Sequence, residues 1–374
     1  MTTKTLGSKD TGEQKVASRR KFLKVGAAAA VGGAAAAVAM PNVATAAPTV
    51  LKVQAAWGGG IFLENAKSYV DRVNKMAGKG LKIDLLSVNS VVKTSQMQDA
   101  VHRGVLDGAH YVPAYWYSKS PAASLFGTGP CFGWSAQEML GWIHYGGGMD
   151  LFNELMGSLG LNLVSFFNSP MPAQPLGWFK EQIKSSSQMK GLKYRTVGLA
   201  ADVMNEMGLS VVQLPGGEIQ PAMKSGLIDA AEFNNPTSDS DFGMQDVSKH
   251  YHLASFHQSQ ECFEVTFNAK KFNSLSKELQ AILEYASEAE NSNFYWNNTL
   301  RYADDLVKLK EKHGVNVYRT PDSIMKDQLK AWDVVVDRIS SEDPFFAKVI
   351  KSQKFYAKKV MNYLLLNAPD YGLA

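Results

Sequence analysis

Cysteine is scarce in this chain, and motifs for redox cofactors or catalytic metals are missing. Two cysteines in 374 residues, Cys131 and Cys262, rule out a scaffold held by several disulfides. They leave two readings open, one disulfide in an oxidising compartment or two reduced thiols. The sequence has no Cys-x-x-Cys pair, no haem-attachment motif, no His-Glu-x-x-His and no Gly-x-Gly-x-x-Gly between a strand and a helix. These absences disfavour enzymes that depend on such motifs.

An excess of positive charge is also missing once the first 46 residues are set aside. The whole chain has 39 Lys and Arg against 35 Asp and Glu, but residues 1–46 hold seven of the basic and two of the acidic residues. The remainder has 32 against 33, a net charge of −1. No basic stripe is left to bind nucleic acid or an anionic membrane surface.

Residues 1–46 have the three parts of an export signal. Residues 18–24 (SRRKFLK) contain a twin-arginine pattern, residues 25–40 are almost wholly Ala, Gly and Val, and residues 44–46 are Ala-Thr-Ala. The apolar part is too short and too rich in glycine to span a bilayer stably. A disordered tail and a permanent anchor are the alternatives. We expect a cleaved signal peptide, export by the twin-arginine route, and a mature protein that works in the periplasm.

The remaining chain alternates short apolar runs with helical patterns. Strands are predicted at residues 51–56, 82–88, 107–112, 161–166 and 193–196. Helices are predicted at residues 62–76, 95–103 and 200–207. This alternation predicts an α/β fold with parallel-rich sheets, and about 328 residues are enough for two lobes. Ligands in such folds sit beyond the carboxyl ends of the strands, in the crevice between lobes.

The last third of the chain predicts long helices. Residues 276–313 contain no Pro or Gly, which predicts a helix of about 55 Å that crosses both lobes and ends at Gly314 as C-cap. Asp343 and Pro344 then predict the N-cap and first residue of an additional C-terminal helix. Its apolar stripe covers either a partner surface or the back of its own lobe. We therefore expect a homodimer through this helix or packing within the chain.

Five motifs in order resemble the extracytoplasmic solute-binding subunits of TRAP transporters. They are residues 114–117 (AYWY), 142–151 (WIHYGGGMDL), 174–179 (QPLGWF), 189–195 (MKGLKYR) and 224–232 (KSGLIDAAE). The sequence is most similar to the subfamily that binds 2-oxo acids and related small monocarboxylates. The resemblance implies a two-lobed periplasmic binding protein that captures a small organic acid and delivers it to TRAP-type membrane permease subunits.

The resemblance also implies limits for the two lobes. Lobe I comprises residues 47–171 and about 260–315, including the long connecting helix. Lobe II comprises residues 172–259 and about 316–342. Residues 343–374 form the additional C-terminal helix, a candidate dimerisation element.

Arg195 is the predicted carboxylate ligand. It ends a predicted strand and faces the expected crevice. A planar guanidinium grips a carboxylate through two parallel hydrogen bonds, which sets orientation as well as charge. A surface salt bridge is the alternative, and the motif around Arg195 favours the binding role.

The resemblance implies a cation that bridges protein and substrate. Its ligands would be the Glu232 carboxylate, the Gln174 amide and the backbone carbonyl of Phe233. Such hard oxygen donors suit sodium, calcium or magnesium and not zinc or copper, and we expect sodium or calcium. Gln258 falls where the 2-oxo acid binders have a second acid. An amide offers an oxygen without charge, which weakens the case for a divalent ion.

Aromatic and amide side chains are expected to complete the pocket. Tyr115 follows a predicted strand and is expected to donate its hydroxyl to the substrate, and Trp57 in the Gly-rich first loop is expected to close the opposite wall. Core packing is the alternative for both. Gln174, Phe233 and Asn234 are further substrate-side candidates. Asn234 and Asn235 alternatively form the turn before Pro236.

Two other functions are alternatives to this one. One is a binder of a different organic acid without a metal. The other is an exported enzyme, for which the main acid–base candidates are His144, His250, His252 and His257. No carboxylate or nucleophile motif accompanies these histidines, so we predict that the protein is not an enzyme.

Overall fold

The computed structural model describes residues 47–214 and 216–369. The predicted signal peptide lies outside the described residues. No helix in the described ranges combines the length and apolarity needed to cross a membrane.

The strands form two sheets. In chain order the strands are β1 (Thr49–Ala55), β2 (Leu81–Leu86), β3 (Gly108–Tyr111), β4 (Leu163–Met171), β5 (Gly177–Phe179), β6 (Lys193–Arg195), β7 (Ser210–Val212), β8 (Ala230–Ala231), β9 (His250–Leu253), β10 (Glu261–Asn268) and β11 (Asn316–Arg319). The first sheet has the order β2-β1-β3-β10-β4 and the second has the order β11-β9-β5-β8-β6-β7. The chain therefore passes from the first sheet to the second after β4, returns at β10, and passes again before β11.

Helices cover the sheets and connect them. They are α1 (Gly60–Ala77), α2 (Met97–His102), α3 (Pro121–Ser124), α4 (Ala136–Tyr145), α5 (Gly148–Ser158), α6 (Leu199–Glu206), α7 (Gly216–Ser225), α8 (Pro236–Asp241), α9 (Ala269–Asn273), α10 (Lys277–Glu311), α11 (Asp322–Glu342) and α12 (Pro344–Asn367). The parallel pairing of β1 with β2 and β3, and of β6 with β7 and β8, confirms the predicted α/β class.

The long helix α10 is confirmed and reaches both sheets. Its N-cap is Ser276, whose hydroxyl accepts a hydrogen bond from the Leu279 amide. Leu283 packs in the core of the first sheet, whereas Leu309 packs in the core of the second. The predicted end is wrong by a few residues, because the C-cap is Lys312. Gly314, with a φ of 63°, instead turns the chain towards β11.

Helix α12 begins as predicted and packs on its own chain. The Asp343 carboxylate accepts hydrogen bonds from the Phe345 and Phe346 amides. Phe346 and Val349 are fully buried in the core around Trp142. The end of the helix is less buried than its start, because its last two turns expose large apolar side chains. These are Tyr363, Leu365 and Leu366.

Two further features bear on the predictions. Cys131 and Cys262 are both free thiols, the first half-buried and the second buried.

Helix α11 contributes Ile324 to a core cluster of the second sheet and Trp332 to the core cluster that includes β3 and α4. The limits of the two lobes remain a proposal.

Candidate functional site

The site forms where strands of both sheets end. Arg195 is the last residue of β6, and Glu232 directly follows β8, which pairs with β6 in parallel. Trp57 and Tyr115 follow β1 and β3 of the first sheet. Gln174 lies on the connection from β4 to β5. Carboxyl ends of parallel strands share one edge of a sheet, which is where α/β folds place ligands.

These side chains surround one narrow cavity of about 20 Å³, which has room for about one water molecule. Its lining consists of Trp57, Phe62, Val112, Tyr115, Gln174, Arg195, Val197, Phe233, Asn234, Gln258, Glu261 and Phe263. Every predicted site residue except Glu232 is in this lining, and Glu232 is bonded to Arg195 behind it. A wider depression of about 550 Å³ follows α1, but mostly exposed, charged side chains line it.

Arg195 is buried and anchored on one side. Nη1 donates to the Glu232 carboxylate at 2.9 Å and to the Glu232 carbonyl at 3.1 Å, while Nε donates to the Leu214 carbonyl at 2.9 Å. No group in the described part of the chain accepts a hydrogen bond from Nη2. That nitrogen keeps donor capacity for a ligand in the cavity. The bonds to Glu232 and Leu214 hold the guanidinium plane in place before any ligand arrives.

Two acceptor oxygens near Arg195 lack donors. Burial raises the pKa of Glu232 to about 7, although the Arg195 charge acts in the opposite direction. Within the described ranges, Glu232 Oε2 and Gln174 Oε1 are buried without a hydrogen-bond partner. An unsatisfied buried acceptor costs free energy, so a native protein needs a donor or a cation there.

Glu261 is a functional candidate that the sequence analysis missed. Gln174 Nε2 donates to Glu261 Oε2 at 2.9 Å, and Asn234 Nδ2 makes a short hydrogen bond to the same oxygen. Burial and, to a smaller extent, the Glu232 charge raise the pKa of Glu261 to about 8. A signal was present, because β10 is an apolar run that contains the two acids Glu261 and Glu264.

Gln258 lies beside Glu261 in the cavity wall and is held on both sides. Its Oε1 accepts a hydrogen bond from Gln174 Nε2 at 3.1 Å, and its Nε2 donates to Thr196 at 3.3 Å. The backbone N–H of Gln174 also donates to the backbone carbonyl of Gln258 at 3.0 Å. Positions 174 and 258 are therefore joined through both backbone and side chains.

Asn234 and Asn235 combine the two roles that the sequence left open. Asn235 is the N-cap of α8, and its side chain accepts a hydrogen bond from the Ser238 amide at 2.9 Å. The buried Asp239 carboxylate accepts from the Asn234 amide at 3.0 Å and from Trp178 Nε1 at 2.9 Å. Trp178 thus lies under the site and is not in the cavity lining. This framework points the Asn234 side chain at Glu261.

An aromatic wall closes the side of the first sheet. Trp57 stacks on Phe263 with ring centroids 4.5 Å apart, and its indole donates to His110 Nδ1 at 2.8 Å. Burial lowers the pKa of His110 to about 3, which keeps this ring neutral and able to accept. Burial raises the pKa of Tyr115 to about 12, so its hydroxyl keeps a proton to donate.

The histidines considered for catalysis lie elsewhere. His144 is exposed on α4, and His250 and His252 both stack on Tyr318. His257 bonds to Ser255 at 2.6 Å. None of the four lines the cavity.

The cavity's donor set fits a hard cation. Within residues 47–214 and 216–369, no three His, Cys, Asp or Glu side chains are grouped as a metal site. Carboxylate and amide oxygens are nevertheless combined here, and two of them are buried without partners. Sodium and calcium prefer such oxygen ligands.

The structure has two sheets covered by helices, one long helix that reaches both, and a cavity where strands of both sheets end. This arrangement is that of a two-lobed solute-binding protein. Residues 60–343 match DctP, the bacterial extracellular solute-binding protein family 7, and the chain belongs to this family. Members are TRAP solute-binding proteins, and an extracytoplasmic location follows from the family.

Similar proteins agree with this assignment. A monocarboxylate 2-oxoacid-binding periplasmic protein of Nostoc sp. is 30% identical over 312 residues, which are 83% of this chain and 84% of that protein. A TRAP solute-binding protein from Bordetella bronchiseptica is 25% identical with a TM-score of 0.81, over 86% of this chain and 95% of the other. That protein is a mixed-occupancy dimer with copurified calcium and picolinate in the active site, against an apo site.

A third relative carries a different cation. The TRAP periplasmic solute-binding protein from Pseudoalteromonas atlantica is 27% identical with a TM-score of 0.80, over 86% of this chain and 97% of the other. Its structure contains sodium and pyruvate.

Proposed function

We propose that this protein captures a small 2-oxo or 2-hydroxy monocarboxylate in the periplasm and delivers it to TRAP-type permease subunits. The observation that carries the proposal is Arg195, a buried guanidinium with unused donor capacity that lines a narrow cavity between the two sheets. The similarity to a 2-oxoacid-binding protein supports this substrate class. The proposed role is binding and release without chemistry, after export of the chain by the twin-arginine route.

A bridging sodium or calcium ion is part of the proposal. Glu232 Oε2 and Gln174 Oε1 would hold it, with the Phe233 carbonyl and the Gln258 amide as further oxygen ligands. The ion would add to the positive charge that Arg195 offers to the substrate carboxylate. Tyr115 and Asn234 would orient the substrate, while Trp57 and Phe233 would exclude water from it.

Closure of the two lobes would complete the site, because lining residues come from both sheets. Trp57 and Tyr115 follow strands of the first sheet, whereas Arg195 and Phe233 follow strands of the second. A ligand that contacts both sets stabilises the closed form over the open form. The permease would then recognise the closed shape.

Removal of the cation tests the proposal. Pyruvate binding should weaken at least tenfold when sodium and calcium are removed with chelating resin and a sodium-free buffer. Glu232→Gln should reproduce this loss in the presence of calcium, because the amide keeps the volume of the side chain but loses its charge. Titration calorimetry measures both affinities. Pyruvate binding of equal strength with and without cations would instead support a metal-free carboxylate binder.

Helix α12 is the proposed homodimer element, and its exposed end is the part to change. Residues Leu365 and Leu366 are 72% and 81% exposed, so Leu365→Asp with Leu366→Asp should leave the melting temperature unchanged. If the helix forms the dimer, wild-type protein sediments as a dimer at micromolar concentration and the double variant as a monomer. A wild-type monomer under these conditions contradicts the dimer. Deleting the whole helix is a poorer test, because Phe346 and Val349 belong to the protein's own core.

A further inference from the structure

The cavity wall contains a carboxylate that the sequence did not predict. It belongs to Glu261, three residues after Gln258, the position at which an amide replaces the expected acid. Gln258 occupies the expected position of that acid, but Glu261 reaches the same cavity from the first residue of β10. Glu261 is 5% exposed. Its Oε2 accepts from Gln174 and Asn234, and no group within the described ranges donates to its Oε1.

Glu261 lines this wall together with Gln174, and Glu232 lies behind the wall, bonded to Arg195. The Gln174 side chain donates a hydrogen bond from Nε2 to Glu261, and its own Oε1 has no donor within the described ranges. Glu232 is 1% exposed, and its Oε2 also lacks a partner. Oxygen atoms of three buried side chains, two of them carboxylates, thus have unused acceptor capacity. A hard cation satisfies such a set, whereas each oxygen alone would need a separate donor.

The charges of the buried groups select the kind of cation. Arg195 contributes one positive charge, and Glu232 and Glu261 contribute two negative charges when ionised. A bound monocarboxylate brings the sum to −2, which sodium reduces to −1 and a divalent ion reduces to zero. Uncompensated buried charge is costly. Asp239 lies nearby, but its carboxylate already accepts hydrogen bonds from Trp178, Tyr251 and two backbone amides.

We propose that Glu261 is the second anionic ligand of the cation site and that it makes the site prefer calcium to sodium. This inference rests on the proposed function for the location of the site. It reverses the expectation from Gln258, because the charge missing at position 258 is supplied at position 261.

Calcium binding itself is the test. Calorimetric titration with calcium alone, and again with saturating pyruvate, should show at least tenfold weaker calcium binding for Glu261→Gln than for wild type. Glu264→Gln is the matched control, since Glu264 is an equally buried acid on the same strand but is outside the cavity lining. It should bind calcium within a factor of about two to three of wild type. Adding Gln258→Glu to Glu261→Gln should restore part of the affinity by returning the charge to the site.

The outcomes separate this inference from the proposed function. Unchanged calcium affinity in folded Glu261→Gln, or no calcium binding by wild type with or without pyruvate, overturns the inference. Weaker sodium binding than calcium binding in wild type, with the difference reduced in Glu261→Gln, supports it. Failure of wild type to bind pyruvate would contradict the proposed function while the calcium titration still decides the role of Glu261. Melting curves of the cation-free proteins confirm that each variant is folded.

Discussion

Replacing Arg195 with alanine is expected to weaken pyruvate binding by about 2–5 kcal/mol, the usual cost of truncating a desolvated charge partner. This corresponds to a loss of about 30-fold to a few thousand-fold in affinity. The reason is that Nη2 is the donor left for a carboxylate, while Nε and Nη1 are bonded to Leu214 and Glu232. Arg195→Lys keeps the charge near Glu232, but its single nitrogen cannot bond Leu214 and Glu232 and also stand where Nη2 does, so it should also bind more weakly. Titration calorimetry measures both.

The structure adds a stability effect that the control must separate from binding. Arg195→Ala leaves the buried Glu232 without its ion-pair partner, which costs about 3–5 kcal/mol for a typical buried pair. Arg72→Ala is the matched control, because Arg72 pairs with the buried Glu290 at 3.1 Å outside the cavity lining. It should lower the melting temperature and leave pyruvate affinity unchanged. Wild-type affinity in a folded Arg195 variant would remove Arg195 from the site.

Glu264→Gln is expected to stabilise the protein at alkaline pH. Burial raises the pKa of Glu264 from 4.5 to about 8, and neither of its carboxylate oxygens has a hydrogen-bond partner among the described residues. A carboxyl whose pKa is higher in the folded state contributes stability at low pH and loses it as pH rises through the folded pKa. Wild type should therefore lose about 1–2 kcal/mol between pH 6.5 and pH 8 through this group alone. The neutral glutamine removes that loss.

Buried histidines contribute equally to the pH dependence of wild type and of Glu264→Gln. Burial lowers the pKa of His110 and His257 to about 3 and that of His252 to about 4. Their effect on stability begins as pH falls towards 6.5, the unfolded value, so a part of it falls at the acid end of the window. That part is the same in wild type and Glu264→Gln and cancels when the two slopes are compared. Urea unfolding at several pH values measures the slope, with saturating calcium present to hold the proposed site ions constant. Equal slopes for wild type and Glu264→Gln would show that Glu264 is not a buried, unpaired acid.

Much of the local structure follows from neighbouring residues. The absence of Pro and Gly predicts α10, and Asp343 with Pro344 predicts the start of α12. Short apolar runs predict the strands β1, β2 and β3. These signals work because helix caps, chain stiffness and apolar periodicity act over a few residues. No local pattern predicts that Arg195, Gln174 and the other site residues line one cavity. That prediction came from the resemblance of five motifs, in order, to a family whose members share one fold.

The tertiary structure decided the parts that depend on pairing between distant segments. The register of β10 against β4 shifts between Glu261 and Phe263, where Ser169 of β4 adopts a φ of 57°. Such a bulge changes which side chains of a strand face a given side of the sheet. Its position depends on how two distant strands pair, so local sequence patterns do not predict it. The resemblance placed Gln258 where relatives have a second acid and therefore predicted one acid fewer, whereas in the folded chain Glu261 lines the cavity.

The C-terminal helix shows the same division. Its apolar stripe determines that α12 is amphipathic, but an amphipathic helix covers any surface of matching shape. Only the fold decides that Phe346 and Val349 find their partner in the core beside Trp142 and that the last turns remain exposed. Local patterns thus determine which elements form and which face of each is apolar. Burial between segments far apart in the chain determines what those faces meet and which charges come together, because that free energy exists only after the chain has closed on itself.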